Sequence, residues 1–318
     1  MGIPVTRSWK SELADRLMPV ARQLFQRMRP AGLRRLLWYS FIAPRFYWRG
    51  WCGTIPTSDG WLFPVDTENL IPRFIFWFGC WEPQISAFVR RRLKTGDVFV
   101  DIGCNLGWYS LLASKLVGTR GSVVAIDASK EFLNRLEATL KMNDIQNVLL
   151  FRNAVWKCED RLQLYIGPEE NLGLTTVEAE FATTEHRMEA ELVPALPLGR
   201  IVPAGLLDQV RLVKIDAEGS EWEVVQGLTD LLGSMRRDVE FLVEVSPETL
   251  HRKGVTVEDL LQPFLQEGFH IYQVPNEYRQ TFYLDYCVEH EAKPPRRIRQ
   301  LPTLQADLVL SRVDQEVL

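Results

Sequence analysis

Val98-Phe99-Val100-Asp101-Ile102-Gly103-Cys104-Asn105-Leu106-Gly107-Trp108-Tyr109-Ser110 reads as a buried strand, a tight turn and the first residues of an apolar helix. Asp101 stands at the carboxyl end of the strand. Gly103 and Gly107 let the backbone turn sharply and approach a ligand closely, while the amides opening the next helix face the same crevice. The spacing Asp-x-Gly-x-x-x-Gly is not the Gly-x-Gly-x-x-Gly that seats a pyrophosphate, which favours a ligand without phosphates. A plain strand-to-helix turn would use the same glycines, so the neighbouring segments decide.

Val123-Val124-Ala125-Ile126-Asp127 is a second buried strand ending in a carboxylate, about 20 residues past Gly107, where a ribose-binding acid is expected. An ionised Asp127 would accept from both ribose hydroxyls; its alternative role is to cap the helix that begins near Ser129. A third segment runs Val213-Lys214-Ile215-Asp216-Ala217-Glu218-Gly219-Ser220-Glu221 and continues through Trp222 to Gly227. Together with Glu82 in Trp-Glu-Pro, Asp-x-Gly-x-Asn-x-Gly at Asp101 to Gly107, and Val243-Glu244, it resembles the signature of the FkbM family of S-adenosylmethionine-dependent methyltransferases, from about Trp77 to Arg312.

The resemblance implies a Rossmann-like class I methyltransferase: an α/β fold with about seven strands, mostly parallel, and helices on both faces. It places Glu82, Asp101, Gly103, Asn105, Gly107, Asp127, Ala128, Asn153 and Asp216 at the S-adenosylmethionine pocket. On the residues alone, an acid at a helix start explains Glu82 and an Asx-turn explains Asn153 equally well. The chain departs from the family in three places. Cys104 stands for the usual Ala, Asp127-Ala128 for Glu-Pro, and Leu198-Gly199 for Leu-Asp, which weakens any role drawn from that last segment.

The alternation of apolar runs agrees with a doubly wound sheet. Strands are expected at Val148 to Phe151, Leu162 to Ile166, Leu212 to Ile215, Val239 to Val245, His270 to Val274, Thr281 to Tyr286 and Asp307 to Ser311, the last two antiparallel. Glu82-Pro83 starts a helix with Pro at its favourable first position. Gly167 to Arg187 is too long for a simple connection and is expected above the strand ends, where it could close over substrate. The run Lys293 to Arg299 reads as a solvated connection.

The 318 residues, 46% hydrophobic, suffice for one catalytic domain and an extension. We divide them into a basic amphipathic helical extension over residues 1–50, a connecting segment over 51–76 and a methyltransferase domain over 77–318. A net charge of -4 argues against a general nucleic-acid binder, yet residues 1–50 carry ten Arg and Lys against Glu12 and Asp15. Leu13, Leu17, Ala21, Leu24, Phe25 and Met28 fall at helical spacing, interrupted by Pro19 and ended near Pro30. Such a stripe packs on its own domain or on a sister subunit in a homo-oligomer. The sharper alternative is a peripheral contact with an anionic membrane or lipid-linked acceptor, with Trp38, Tyr39 and Trp48 at the interface. Five scattered cysteines suggest no disulfide framework or thiolate zinc site, and a reducing cytoplasm fits them. The longest apolar runs are too short to span a bilayer.

Methyl transfer from a sulfonium is an in-line displacement, so the catalyst must hold the nucleophile close and exclude water. An alcohol acceptor must also lose its proton to a carboxylate or His. Asp216 is expected near the methyl group, Glu218 and Glu244 as substrate or base residues, Lys214 as the cation that keeps one of them ionised, and His186 as an outside base. A purely structural salt-bridge network explains Lys214 and Glu221 as well. Asp216 with Glu244 could hold a magnesium ion, but no ligand spacing compels a divalent metal. The leading expectation is an S-adenosylmethionine-dependent O-methyltransferase acting on a hydroxyl of a sugar, glycolipid or secondary metabolite. The alternatives are an N- or nucleic-acid methyltransferase, and a non-catalytic cofactor-binding or membrane-associated scaffold.

Overall fold

The computed structural model describes residues 9–28, 31–289 and 292–318, so the expected helix stop at Pro30 lies outside the described residues. In chain order the elements are α1 (Trp9–Arg27), α2 (Ala31–Leu37), a π-helical stretch (Trp38–Tyr47), β1 (Cys52–Pro56), β2 (Leu62–Asp66), α3 (Leu70–Phe78) and α4 (Pro83–Arg92). Then come β3 (Val98–Ile102), α5 (Trp108–Val117), β4 (Ser122–Asp127), α6 (Lys130–Met142), β5 (Val148–Arg152), β6 (Ala154–Val155), β7 (Asp160–Ile166) and β8 (Arg187–Leu196). The rest are α7 (Leu198–Ile201), α8 (Ala204–Leu207), β9 (Val210–Ile215), α9 (Glu221–Gln226), β10 (Glu240–Val245), α10 (Pro247–Arg252), α11 (Val257–Gln266), β11 (His270–Val274), α12 (Gln280–Glu289), β12 (Arg296–Arg297) and β13 (Ala306–Ser311).

The chain forms two compact units, one of residues up to Trp81 with Glu277–Glu291, the other of Glu82–Asn276 with Ala292–Leu318. The first unit is built on aromatic rings. Phe25 of α1 lies 5.1 Å from Trp38, which lies 5.0 Å from Phe78 of α3. The buried Arg22 donates from Nε to the Phe76 carbonyl at 2.8 Å and from Nη2 to the Pro56 carbonyl at 3.0 Å, so its charge ties helix to hairpin. This corrects the expected stripe on α1. The inward face is Met18, Arg22 and Phe25, whereas Leu17, Val20 and Leu24 point outward.

A second correction falls on Thr281 to Tyr286, which is helical within α12. Tyr283 and Leu284 are both buried. A strand would send these adjacent residues to opposite faces. The ring of Tyr283 instead packs 4.6 Å from Phe74.

In the second unit an eight-stranded sheet has the order β12-β11-β13-β10-β9-β3-β4-β5. The block from β10 to β5 is parallel, and β13, β11 and β12 are antiparallel. The eighth strand is the two-residue β12, inside the run read as a solvated connection. Strand β7 leaves this sheet and pairs in a separate three-stranded one with β8 and β6. Strict alternation sorts the main sheet's faces. Val98, Val100, Ile102, Val213, Ile215, Phe241, Val243 and Leu308 pack in one cluster with Val224 and Val225 of α9 and with Leu260, Leu261 and Phe264 of α11. Residues at the alternate positions, Asp101, Lys214, Glu244 and Asp307 among them, therefore face the other way.

Candidate active site

Strand order reverses at β3, which has β4 and β5 on one side and β9 and β10 on the other. Crevices at such a switch point, outside the carboxyl ends of the strands, are where ligands bind in open α/β sheets. Two loops meet there, the one after β3 and the one after β9. Gly103 has φ +74°, and a Cβ on it would lie 1.7 Å from the Asp216 carbonyl oxygen. Gly107 has φ +81°, and a Cβ there would lie 2.2 Å from a Leu136 methyl. On their side-chain side, the glycines are approached by the β9 loop and helix α6.

The loop after β3 is fastened to β4. Asn105, at φ +50°, donates its amide to Asp127 Oδ2 at 2.8 Å, and the Ser129 amide donates to Asp127 Oδ1 at 2.8 Å. Helix α6 is capped by Ser129 itself, whose hydroxyl accepts from the Phe132 amide. Each Asp127 oxygen thus takes one backbone donor and keeps a lone pair. Burial pushes the Asp127 pKa up to about 6 against those two amides. Asn153 donates its amide to the Asp127 carbonyl oxygen and its side chain to the Pro194 carbonyl oxygen, at 3.2 and 3.3 Å. Ala128 lies between Asp127 and the cap, partly exposed.

On the face away from α9 and α11 the strand ends carry a row of ionisable groups. Asp101 pairs in register with Lys214, Lys214 with Leu242, and Glu244 with Asp307. Lys214 bonds Asp216 Oδ2 at 2.6 Å and sits 4.9 Å from the ring centre of Tyr109, whose hydroxyl donates to Glu82 Oε2 at 2.6 Å. Burial alone would lower the Lys214 pKa, but Asp216, Glu82 and Asp101 together outweigh it and raise it. Ser110 donates to Asp101 Oδ2 at 2.6 Å, while the other oxygen, Oδ1, is buried without a hydrogen-bond partner. Burial raises the Asp101 pKa, with Lys214 and Ser110 opposing.

The remaining carboxyls are half-buried or buried beside one another. Burial, then Asp216 and Glu221, push Glu218 well above the usual range; its backbone is left-handed at φ +46°. Burial, then Asp216 and Glu218, do the same to Glu244. Asp307 rises to about 8 through burial and the nearby Glu82, with the Asn276 side chain donating to it at 3.1 Å. The sequence reading missed Asp307, whose place in the row depends on the antiparallel pairing of β13. Glu221 accepts at Oε1 from the Ala217 and Gly219 amides at 3.0 and 3.1 Å, so it holds the β9 loop in shape.

The segment after β7 folds back onto its own strand through Tyr165 and Thr176. Its Phe181 ring lies 3.3 Å from where a Cβ on Gly219 would stand, next to Glu218. Lys253 of the loop after α10 bridges Glu178 at 2.7 Å and Glu223 at 2.5 Å. His186 uses both ring nitrogens within this segment, Nδ1 accepting from the Thr183 amide and Nε2 facing the Leu174 carbonyl oxygen, each at 3.0 Å. That arrangement ties His186 into its own segment.

An unpartnered buried carboxylate oxygen on Asp101 wants a cationic donor, and the spare lone pairs on Asp127 suit a diol. An amino-acid ammonium and a ribose supply those groups, so the residues present fit S-adenosylmethionine. Among the described residues no group of three or more His, Cys, Asp and Glu side chains is arranged to hold a metal ion.

The model of the methyltransferase FkbM domain matches residues 101–271, more than half of the chain. The chain belongs to the FkbM methyltransferase family. Its residues 101–271 form a methyltransferase FkbM domain, and its fold is α/β with a mostly parallel sheet. Among curated proteins it is similar to the 23S rRNA (uracil(1939)-C(5))-methyltransferase RlmD of Acinetobacter baumannii, 32% identical over 66 residues. That match spans 21% of this chain and only 14% of the other protein. Among solved structures the FkbM chain is similar to an O-methyltransferase from Thermotoga maritima (14% identity, 83% of this chain and 78% of that one, TM-score 0.40). It is also similar to an rRNA methylase from Streptococcus thermophilus (10% identity, 72% and 95%, TM-score 0.35). Scores this low say nothing of the substrate.

Proposed function

We propose that this FkbM methyltransferase acts on a hydroxyl oxygen, on a sugar, a glycolipid or a secondary metabolite. The observation that carries this is the carboxyl row, with Glu218, Glu244 and Asp307 all held above the usual carboxylate range beside the Lys214–Asp216 pair. Methylating an alcohol breaks the sulfonium–methyl bond, forms an oxygen–methyl bond and releases the hydroxyl proton. A carboxylate with a raised pKa takes that proton more readily than an ordinary one. Positioning supplies much of the rest.

In this reading the Oδ1 atom of Asp101 takes the cofactor's ammonium, Asp127 its ribose hydroxyls and Asn153 the edge of its base. Asn105, Ala128 and the two glycines shape the wall between them. Bound there, the cofactor supplies an activated methyl group. Lys214 pairs with Asp216 at the reacting centre, Glu82 and Tyr109 orient Lys214, and Glu244 or Glu218 accepts the proton. A polyphosphate acceptor is disfavoured, since only one lysine stands among several carboxyl groups there.

The test is transfer of labelled methyl from S-adenosylmethionine to panels of hydroxylated acceptors, amines and ribosomal RNA. We expect label in the hydroxylated panel, and a fall in kcat of roughly 100-fold or more for Glu244→Gln or Glu218→Gln, whichever is the base. Label confined to amines or RNA contradicts the proposal.

A further inference from the structure

We infer that the first unit docks on an anionic membrane surface through the outward side of α1 and α2. On α1 the outward residues Leu17, Val20 and Leu24 stand three and four positions apart, which makes one continuous apolar stripe. Leu24 is 62% exposed, and Leu36, one turn after the exposed Leu33 on α2, is also 62% exposed. Trp48, beyond the π-helical stretch, is 77% exposed. Single exposed apolar residues are ordinary, but a helix that turns one apolar face inward and a second outward has buried only half of what it offers.

Charge decides what covers that second face. From residue 16 to residue 58 the chain has eight arginines and no acidic residue. Arg16 and Arg27 lie on the exposed side of α1, while the exposed Arg35 of α2 is paired with Asp285. Arginines around an apolar stripe match the boundary between acidic head groups and acyl chains. A second copy of the chain is the poorer occupant, because a two-fold contact would set arginines against arginines with no acid in the segment to answer them. A phosphate backbone alone would use the arginines and leave the leucines wet. No described helix is long and apolar enough to cross a bilayer, so the contact is peripheral.

The test uses the full chain and sedimentation with vesicles of phosphatidylcholine alone or mixed with phosphatidylglycerol. Wild type should partition to the mixed vesicles at least tenfold better than to the neutral ones. Arg16→Gln with Arg27→Gln should weaken that partition by roughly fivefold per arginine. Leu24→Ser with Leu36→Ser should weaken it too, with the circular dichroism spectrum, monomeric mass and affinity for S-adenosylhomocysteine unchanged. Wild type left in the supernatant of mixed vesicles would overturn the inference. So would partition indifferent to both pairs of substitutions, or a dimer that the leucine pair converts to monomer.

Discussion

Asp101 shows how much one residue can carry. Its Oδ2 is satisfied by Ser110, its Oδ1 has no partner, and Lys214 faces it from the next strand. Asp101→Asn keeps the shape and removes the charge, so it should weaken binding of S-adenosylmethionine by about 10- to 100-fold, the scale of a charge-assisted hydrogen bond. Calorimetric titration measures this directly, and unchanged affinity would remove Asp101 from the cofactor site. Asp101, Asp127 and Lys214 were legible in the sequence because each sits at the end of a short apolar run within a compact motif. Asp307 was not, because nothing local marks it. It joins the row through cross-strand pairing with Glu244, more than sixty residues away. His186 was read from its chemistry alone, and only the fold reveals that both of its nitrogens are taken.

At the scale of elements, the contact of the β3 and β9 loops is the tightest in the crevice. Gly103→Ala would drive a methyl into the Asp216 carbonyl and force a side chain into the left-handed region. We expect a loss of at least about 3 kcal/mol in urea unfolding. Wild-type stability in that variant would mean the loops can part. The segment after β7 depends on a different contact, the bridge from Lys253 to Glu178 and Glu223. Lys253→Ala should speed amide exchange over residues 174–186 about tenfold while leaving the β3 and β4 amides protected. Parallel strands were legible because strands buried on both faces read as unbroken apolar runs. Helix α12 was not, since Phe282, Leu284 and Tyr286 alternate as a strand would. Tertiary packing of Tyr283 against the aromatic rings of α3 overrides that pattern. On α1 the periodicity was plain, but hydrophobicity alone cannot say which of two apolar faces turns inward. The inward one is chosen by Arg22 reaching two carbonyls.

At the scale of the whole molecule, the raised carboxyls make the fold sensitive to pH. Folded pKa values of about 6 for Asp127, 7 for Glu221 and 8 for Asp307 stand above unfolded values near 4. Between those limits the folded chain binds more protons than the unfolded one. Their contribution is therefore fully present below about pH 4 and is lost as pH rises through 6 to 8. The raised Lys214 pKa adds stability that is constant across this window, and the lowered Asp238, Asp259, Asp314 and Glu316 act below it. Without ligand, the protein should melt several degrees higher at about pH 5.5 than at about pH 8.5, as read by calorimetry. A melting temperature that climbs over that interval would contradict the raised pKa values of Asp127, Glu221 and Asp307.

The proposed S-adenosylmethionine site is the crevice at the switch point, with Asp127 on the ribose. Calorimetric titration of the wild type and of Asp127→Ala with S-adenosylhomocysteine tests it most directly. Micromolar binding by the wild type is expected, with its loss in a variant that remains folded by circular dichroism. Equal binding by both would contradict it.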